Sequence, residues 1–338
     1  MLWTRFFLKL ATFTGFVIAA GLSIVSTALA QSDPLPSWND TAPKAAIIRF
    51  VKAVTAEGSA GFVPVDERIA VFDNEGTLSV EQPLPPQLSF ELDCIQAAAL
   101  EHPDWATTPP FSAALERNVK ALAQAGEDGL AQIMVASHAG WSTSAYETTL
   151  SGWIASTRDA RFKRLHTELV YKPMLELLAY LRANGFRTFV VSNSGIDFIR
   201  PWTEAIYGVP PNQVVGSSIK TKFELTGGRP ALIRVPELNF VSDNAGKPVA
   251  IHEAIGHQPI ATFGNSDGDL EMLQWTMMGR GPRLGMIVHH TDAEREYAYD
   301  RNADFGSLEK ALAAAPANGW TVIDMKNDWK TIFPFEQK

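Results

Sequence analysis

Ile69-Ala70-Val71-Phe72-Asp73-Asn74-Glu75-Gly76-Thr77 is the stretch on which the fold is decided. Its four leading apolar residues are too few for a helix and fit a short strand buried on both faces. The run stops at two acids spaced two apart, followed by a glycine-containing turn. Working outward, similar apolar runs occur at Thr188 to Val191, Ile260 to Phe263 and Leu284 to Val288, with Thr321 to Ile323 a weaker one. Helical spacing separates them: Met174, Leu177, Leu178 and Leu181 precede a stop at Gly185. Near the start, Asn39, Asp40 or Thr41 can cap a helix with Pro43 in its first turn. Alternating strand and helix predicts an α/β fold, a doubly wound parallel sheet with right-handed crossovers.

Ligands of such sheets bind beyond the carboxyl ends of the strands. The first run ends in Asp73 and Glu75, the second in Ser192-Asn193-Ser194-Gly195, and the third in Gly264-Asn265-Ser266-Asp267-Gly268-Asp269. Lys247 precedes the third run, with Lys220 and Lys222 as rival lysines. One sheet edge thus collects paired carboxylates, a hydroxyl, an amine and a second acidic turn. A carboxylate approaches a phosphate dianion only beside a cation, because like charges in a dry pocket repel. Magnesium, held by hard oxygen ligands, supplies one. Asp73 can then attack phosphorus, and Glu75 can protonate the leaving oxygen and later activate water. Ser192, Asn193 and Lys247 are placed to bind the phosphoryl oxygens.

The first and second runs are joined by far more chain than one crossover needs. Residues 84–170 hold helical stretches at Ala113 to Ala125 and Ala131 to Ser137, and are expected to form a helical cap domain inserted in a core of residues 31–83 and 171–338. Trp105, Trp141 and Trp153 within it read as core rather than as a cage for a cationic group. A smaller insertion, 220–241, alternates polar and apolar residues around Thr226-Gly227-Gly228 and reads as a hairpin. His289 and His290 follow the fourth run on the same edge, where a structural role is favoured over contact with substrate or Asp292.

The net charge of −8 over 338 residues argues against a nucleic-acid surface, and a single cysteine, Cys94, rules out an internal disulfide or a cysteine-based zinc site. Residues 1–30 read as a signal peptide: Arg5 and Lys9, an uncharged run from Leu10 to Val25, and a small-x-small site at Ala28-Leu29-Ala30. Cleavage there is expected to deliver a periplasmic or secreted protein with no lasting membrane insertion.

Taken together, these residues resemble the haloacid dehalogenase superfamily, in its phosphatase branch near phosphoserine phosphatase. The first motif of that family, Asp-x-Asp-x-Thr, is matched by Asp73-Asn74-Glu75-Gly76-Thr77. The strand-ending Ser or Thr is matched by Ser192, the lysine by Lys247, and the Gly-Asp motif with a further Asp by Gly264-Asn265 and Asp269. The resemblance implies strand order 5-4-1-2-3, a cap after the first motif, a small phosphorylated substrate, and magnesium held by Asp73, the Glu75 carbonyl, Asn265 and Asp269. Two positions depart from the pattern. Glu75 replaces an Asp and is one methylene longer, and Asn265 replaces an Asp and lacks its charge, so that Asp269 or Asp267 is expected to carry more of the site. Cleavage of a carbon–halogen or phosphonate bond, or ligand binding without catalysis, are the alternatives on the same fold.

Overall fold

The computed structural model describes residues 33–336, and the leader expected at residues 1–30 lies outside them. From Pro34 onward the described chain forms one contact unit. Eight strands make its sheet: β1 Ile69–Phe72, β2 Arg187–Gly195, β3 Val214–Thr226, β4 Arg229–Phe240, β5 Ala261–Gly264, β6 Leu284–Thr291, β7 Ala298–Tyr299 and β8 Thr321–Asp324. Their order is β4-β3-β2-β1-β5-β6-β7, with β8 beside β6. β1 is central and parallel to both neighbours, Val71 lying opposite Phe189 and Thr262.

The period of two in β1 explains why both faces are covered. Ala70 and Phe72 enter one apolar cluster with Phe263, Val190 and the helix Lys172–Ala183. Ile69 and Val71 enter another with Val191, Met272 and the helix Gly246–Ile255. All four β1 side chains have no exposure, and Phe72 stacks on Phe263 with centroids 4.3 Å apart. Burying a side chain of this size contributes roughly 1.5–3 kcal/mol, so this strand anchors the residues that follow it. The early helix runs from Ala42 to Thr55 with Pro43 in its first turn, as its sequence indicates, but the expected side-chain cap does not form: Thr41, at the N-cap position, turns its hydroxyl to Asn39 O, and Asp40 pairs with Lys44.

The hairpin differs from expectation. It is no separate insertion, because β3 begins at Val214 inside the parallel sheet, where Val214 pairs with Val190. The same strand then runs on to pair antiparallel with β4 across Gly227 and Gly228. Only Val214 and Val215 are apolar at its start, and Gly216 follows because a Cβ there would collide with the Ser194 carbonyl, 2.6 Å away. A strand interrupted by such a close approach carries no apolar run to read. With β3 as third strand, the core order β6-β5-β1-β2-β3 corresponds to the one the resemblance implied. The weak run near Thr321 is β8, a parallel partner of β6.

Between β1 and β2 lie helices Pro86–Ala98, Phe111–Leu115, Val119–Gln124, Gly126–Ala136 and Thr143–Ser156. The expected single helix from Ala113 to Ala125 is broken: Arg117 takes φ +50°, and the Asn118 side chain caps the next helix by accepting from the Ala121 N–H. Leu88, Leu92, Ile95, Trp105, Leu122 and Ile133 form a cluster of their own. Phe90, Tyr146 and Leu150 instead join the cluster beneath the sheet. No described helix is long and apolar enough to cross a membrane.

Candidate active site

Asp73 follows β1 directly, and its backbone N–H donates to Phe263 O on β5 at 2.9 Å. The chain then turns sharply. Asn74 O accepts from the N–H groups of Thr77, Leu78 and Ser79, and Gly76 takes φ +81°. A Cβ on Gly76 would land on the Asn265 amide, so glycine is required twice over at this position. Below the turn, His290 Nε2 donates to Gly76 O at 2.8 Å, and its Nδ1 meets Glu296 at 3.0 Å. His290 is therefore structural, holding the loop from beneath. His289 lies 3.9 Å from Asp300, and Asp292 pairs with Arg295 rather than with either histidine.

Lys247 is the cation of the site. From the helix Gly246–Ile255 its Nζ donates to Asp73 Oδ1 and to Asp269 Oδ1, both at 2.6 Å, and its side chain is only 2% exposed. The rivals Lys220 and Lys222 sit on the hairpin, paired with Glu237 and Glu224. Asp269 Oδ2 accepts from the backbone N–H groups of Asn265 and Ser266. Both its oxygens are thus engaged, and it fixes Lys247 and the turn. Asp267 points away, its Oδ1 accepting from Glu309 and Ala311 N–H at the start of the helix Lys310–Asn318, so it does not share in the site as expected.

The side chain of Asn265 turns one terminal atom toward three oxygens: Glu75 O at 2.9 Å, Thr77 Oγ1 at 3.0 Å and Asp73 Oδ2 at 3.2 Å. Two arrangements satisfy this geometry, since amide oxygen and nitrogen have the same shape. With nitrogen inward, the amide donates to these oxygens. With oxygen inward, a cation must join them. Oxygens in neighbouring positions of an octahedral magnesium shell, with bonds of roughly 2.0–2.1 Å, stand about 3 Å apart. The trio of Asp73 Oδ2, Glu75 O and Asn265 Oδ1 therefore fits magnesium. No described group of three His, Cys, Asp or Glu residues has metal-holding geometry, so one amide and one carbonyl are needed to complete such a set.

Charge points the same way. Asp73, Glu75, Glu81 and Asp269 are all buried beside one lysine. Burial pushes the Asp73 carboxyl well above its usual range against the pull of Lys247, and Asp269 and Glu75 push it further. Burial does the same to Glu81, reinforced by Asp73. Burial works against the charged form of Lys247, yet Asp269, Asp73 and Asp243 outweigh it and raise its affinity for the proton. An uncompensated excess of buried negative charge demands protons or a cation.

Glu75 takes an unexpected position. Its two oxygens accept from Ser192 Oγ and Ser194 Oγ, each at 2.8 Å. Ser192 Oγ also accepts from Ser194 N–H at 3.0 Å. Ser192 is thus brought to the site but holds Glu75, whereas Asn193 is exposed and faces a neighbouring cavity. Ser194, Glu81 and Tyr207, whose hydroxyl donates to Asn74 Oδ1 at 2.9 Å, are site residues that the sequence reading missed. The repeated serine two residues after Ser192 was the available signal. Glu81 and Tyr207 carry none. Trp105 is core, while Trp153 lines a tight space of about 20 Å³ against Asn74 and Glu75, room for about one water.

A profile of the haloacid dehalogenase-like hydrolases matches residues 70–274, and the chain belongs to this family. It is a hydrolase whose motif residues stand on one sheet edge. Among solved structures it is similar to a conserved protein of unknown function from Anaerococcus prevotii DSM 20548, with TM-score 0.51 and 16% identity over 83% of this chain and 96% of that one. It is also similar to a protein of unknown function from Bordetella pertussis Tohama I, with TM-score 0.48 and 16% identity over 77% and 99% of the two chains. A phosphoserine phosphohydrolase-like protein from Francisella tularensis subsp. tularensis SCHU S4 aligns with TM-score 0.36 and 14% identity over 74% and 98%. No curated protein matches the sequence.

Proposed function

We propose that this hydrolase is a phosphomonoesterase of small substrates that works through a phospho-Asp73 intermediate. One observation carries the reading: the Asp73 carboxylate is divided, Oδ1 on Lys247 at 2.6 Å and Oδ2 against the Glu75 O and Asn265 trio. That is the arrangement a carboxylate needs to meet a phosphate dianion. Magnesium bound by Asp73, the Glu75 carbonyl and Asn265 would supply the positive charge that draws the phosphoryl group in. An Asp73 oxygen attacks phosphorus, the bond from phosphorus to the ester oxygen breaks, and Glu75 gives that oxygen its proton. Glu75 then takes a proton from water, whose oxygen attacks phosphorus and releases phosphate and Asp73. Lys247 balances the charge that builds up.

Glu75 can serve in this way only after leaving Ser192 and Ser194. Its departure frees Ser192 Oγ to donate to a phosphoryl oxygen, so arrival of substrate and release of the acid are one event. The leader reading places this activity in the periplasm or outside the cell. Phosphate release from a panel of phosphomonoesters, with and without magnesium, tests the proposal. Release should require the metal and vanish in Asp73→Asn. Release that persists in Asp73→Asn refutes the nucleophile. The clamp on Glu75 also favours a second reading, a binding protein on this fold. Magnesium-dependent binding of an ester without turnover, with turnover created by Glu75→Asp, would establish that reading instead.

A further inference from the structure

Asn265 takes the place of an Asp in its motif, and its amide can turn either of two ways toward Asp73 Oδ2 and the Glu75 carbonyl. What lies on the far side of the amide decides between them. There its outer terminal atom meets Glu81 Oε2 at 3.3 Å. A carboxylate only accepts hydrogen bonds, so the atom facing it is Nδ2. Oδ1 then points inward. Thr77 Oγ1 can donate to it at 3.0 Å, but Asp73 Oδ2 and the Glu75 carbonyl are acceptors that only a cation can join to it.

The chain builds a seat for Glu81 on three sides. Val80, just before it, donates its N–H to Leu169 O. Gln82, just after it, donates from Nε2 to Phe305 O at 2.8 Å. Gly306 then takes φ +66° and passes so close that a Cβ there would overlap Glu81 Oε2, so glycine is needed to leave the carboxylate room. The same loop is tied to the second acidic turn, because Ser307 O accepts from Asp267 N–H at 2.8 Å. Glu81 is 7% exposed, and the fields of Asp73, Glu75 and Asp269 all bear on it. A carboxylate buried this close to the trio adds to the attraction for a cation there.

We propose that Glu81 is the positioning residue of the magnesium site: by accepting from Asn265 Nδ2 it turns Oδ1 toward the cation, and its carboxylate supplies, one residue removed, the charge that Asn265 lacks. The inference rests on the magnesium binding in the proposed function and adds the residue that makes good the missing charge. Glu81 and Asn265 together do what one aspartate does elsewhere, and Glu81 need touch neither the metal nor the ester. Removing a partner that holds a metal ligand in this way typically weakens the metal by about 10–100-fold.

Calorimetric titration of the purified protein with magnesium chloride, with no ester present, reads the effect. Glu81→Gln is uncharged, nearly the same shape, and as ready to present an N–H2 as an oxygen. It should raise the Kd for magnesium about 10–100-fold. The same change in an Asn265→Asp background should not weaken binding, because that ligand carries its own charge and has no amide to orient. An unchanged Kd in Glu81→Gln overturns the proposal, and so does an equal weakening in both backgrounds. Should Glu81→Gln fail to fold, Glu81→Asp, which draws the carboxylate back by one methylene, must weaken magnesium, and an unaltered Kd counts against the proposal. No magnesium binding to the wild type also refutes it. Phosphate release from an alkyl phosphate is followed alongside: its absence refutes the phosphomonoesterase reading, whereas the pattern of affinities alone decides the role of Glu81.

Discussion

Replacing Asn265 by Asp restores a charge to a site that already holds four buried acids, and the outcome is calculable. The terminal atom at this position stands 3.2 Å from Asp73 Oδ2 and 2.9 Å from Glu75 O. Two unit charges at that separation repel by about 5 kcal/mol at an effective dielectric of about 20. Lys247 is already shared between Asp73 and Asp269, so it offsets little of this. In EDTA, Asn265→Asp is therefore expected to lose several kcal/mol, partly relieved by taking up a proton. At roughly 2 °C per kcal/mol for a chain of this size, Tm should fall by about 5–10 °C. Magnesium reverses the sign, because the same charge now faces a dication. Ion binding to the folded state at 100 times its Kd adds about 2.7 kcal/mol, and the rise in Tm on titrating magnesium should be larger for the variant than for the wild type. Thermal unfolding across an EDTA-to-magnesium series decides it. A variant as stable as wild type in EDTA, with no greater response to magnesium, would refute the reasoning about this trio.

Other consequences are accessible to simple assays. Lys247→Met leaves Asp73 and Asp269 buried without their cation, which should cost about 3–5 kcal/mol in urea unfolding and reduce phosphate release by about 10²–10³-fold. Gly76→Ala places a methyl on the Asn265 amide at φ +81°, whereas Gly58→Ala, at φ +75° with no atom within 4 Å, meets open space. Unfolding should show the first variant losing well over the roughly 1–2 kcal/mol of left-handed strain that the second loses. Glu91 gives a pH dependence with a definite sign. Burial raises its pKa from 4.5 to about 8, so the folded state binds the proton more tightly and stability is lost as pH rises across that window. Glu91→Gln should match wild type near pH 4.5 and exceed it above pH 8, by at most about 5 kcal/mol, in thermal melts at the two pH values.

The sequence exposed those parts of the fold whose determinants are local. β1 is legible because its four side chains are buried on both faces and are all apolar; the first half of β6 carries a similar run, and β5, equally buried, is read from Ile260, Ala261 and Phe263. Lys247 was separable from Lys220 and Lys222 because it stands just ahead of β5, within reach of the strand ends. β3 was not legible as a core strand, since its start is shaped by the close approach of Gly216 to the β2 backbone, a tertiary event. The same limit explains the site. That residue 75 is a glutamate was visible, but its seat between Ser192 and Ser194 depends on how β2 continues past Val191, where its register with β3 shifts. Asp267 read as a site acid because it shares a turn with Asp269, and only the position of the helix Lys310–Asn318 shows that it serves as a cap instead. Glu81 and Glu91 have no motif around them, and burial is the main influence that gives them their character.

The central claim is a covalent bond between phosphorus and the Asp73 carboxylate, and it can be seen directly. The protein is mixed with a hydrolysed phosphomonoester and magnesium, quenched in acid within milliseconds, and reduced with borohydride, which converts an aspartyl phosphate to homoserine. Peptide mass spectrometry should then find homoserine at position 73, dependent on substrate and absent in Asp73→Asn. Homoserine at another aspartate, or turnover with none at position 73, would contradict the account.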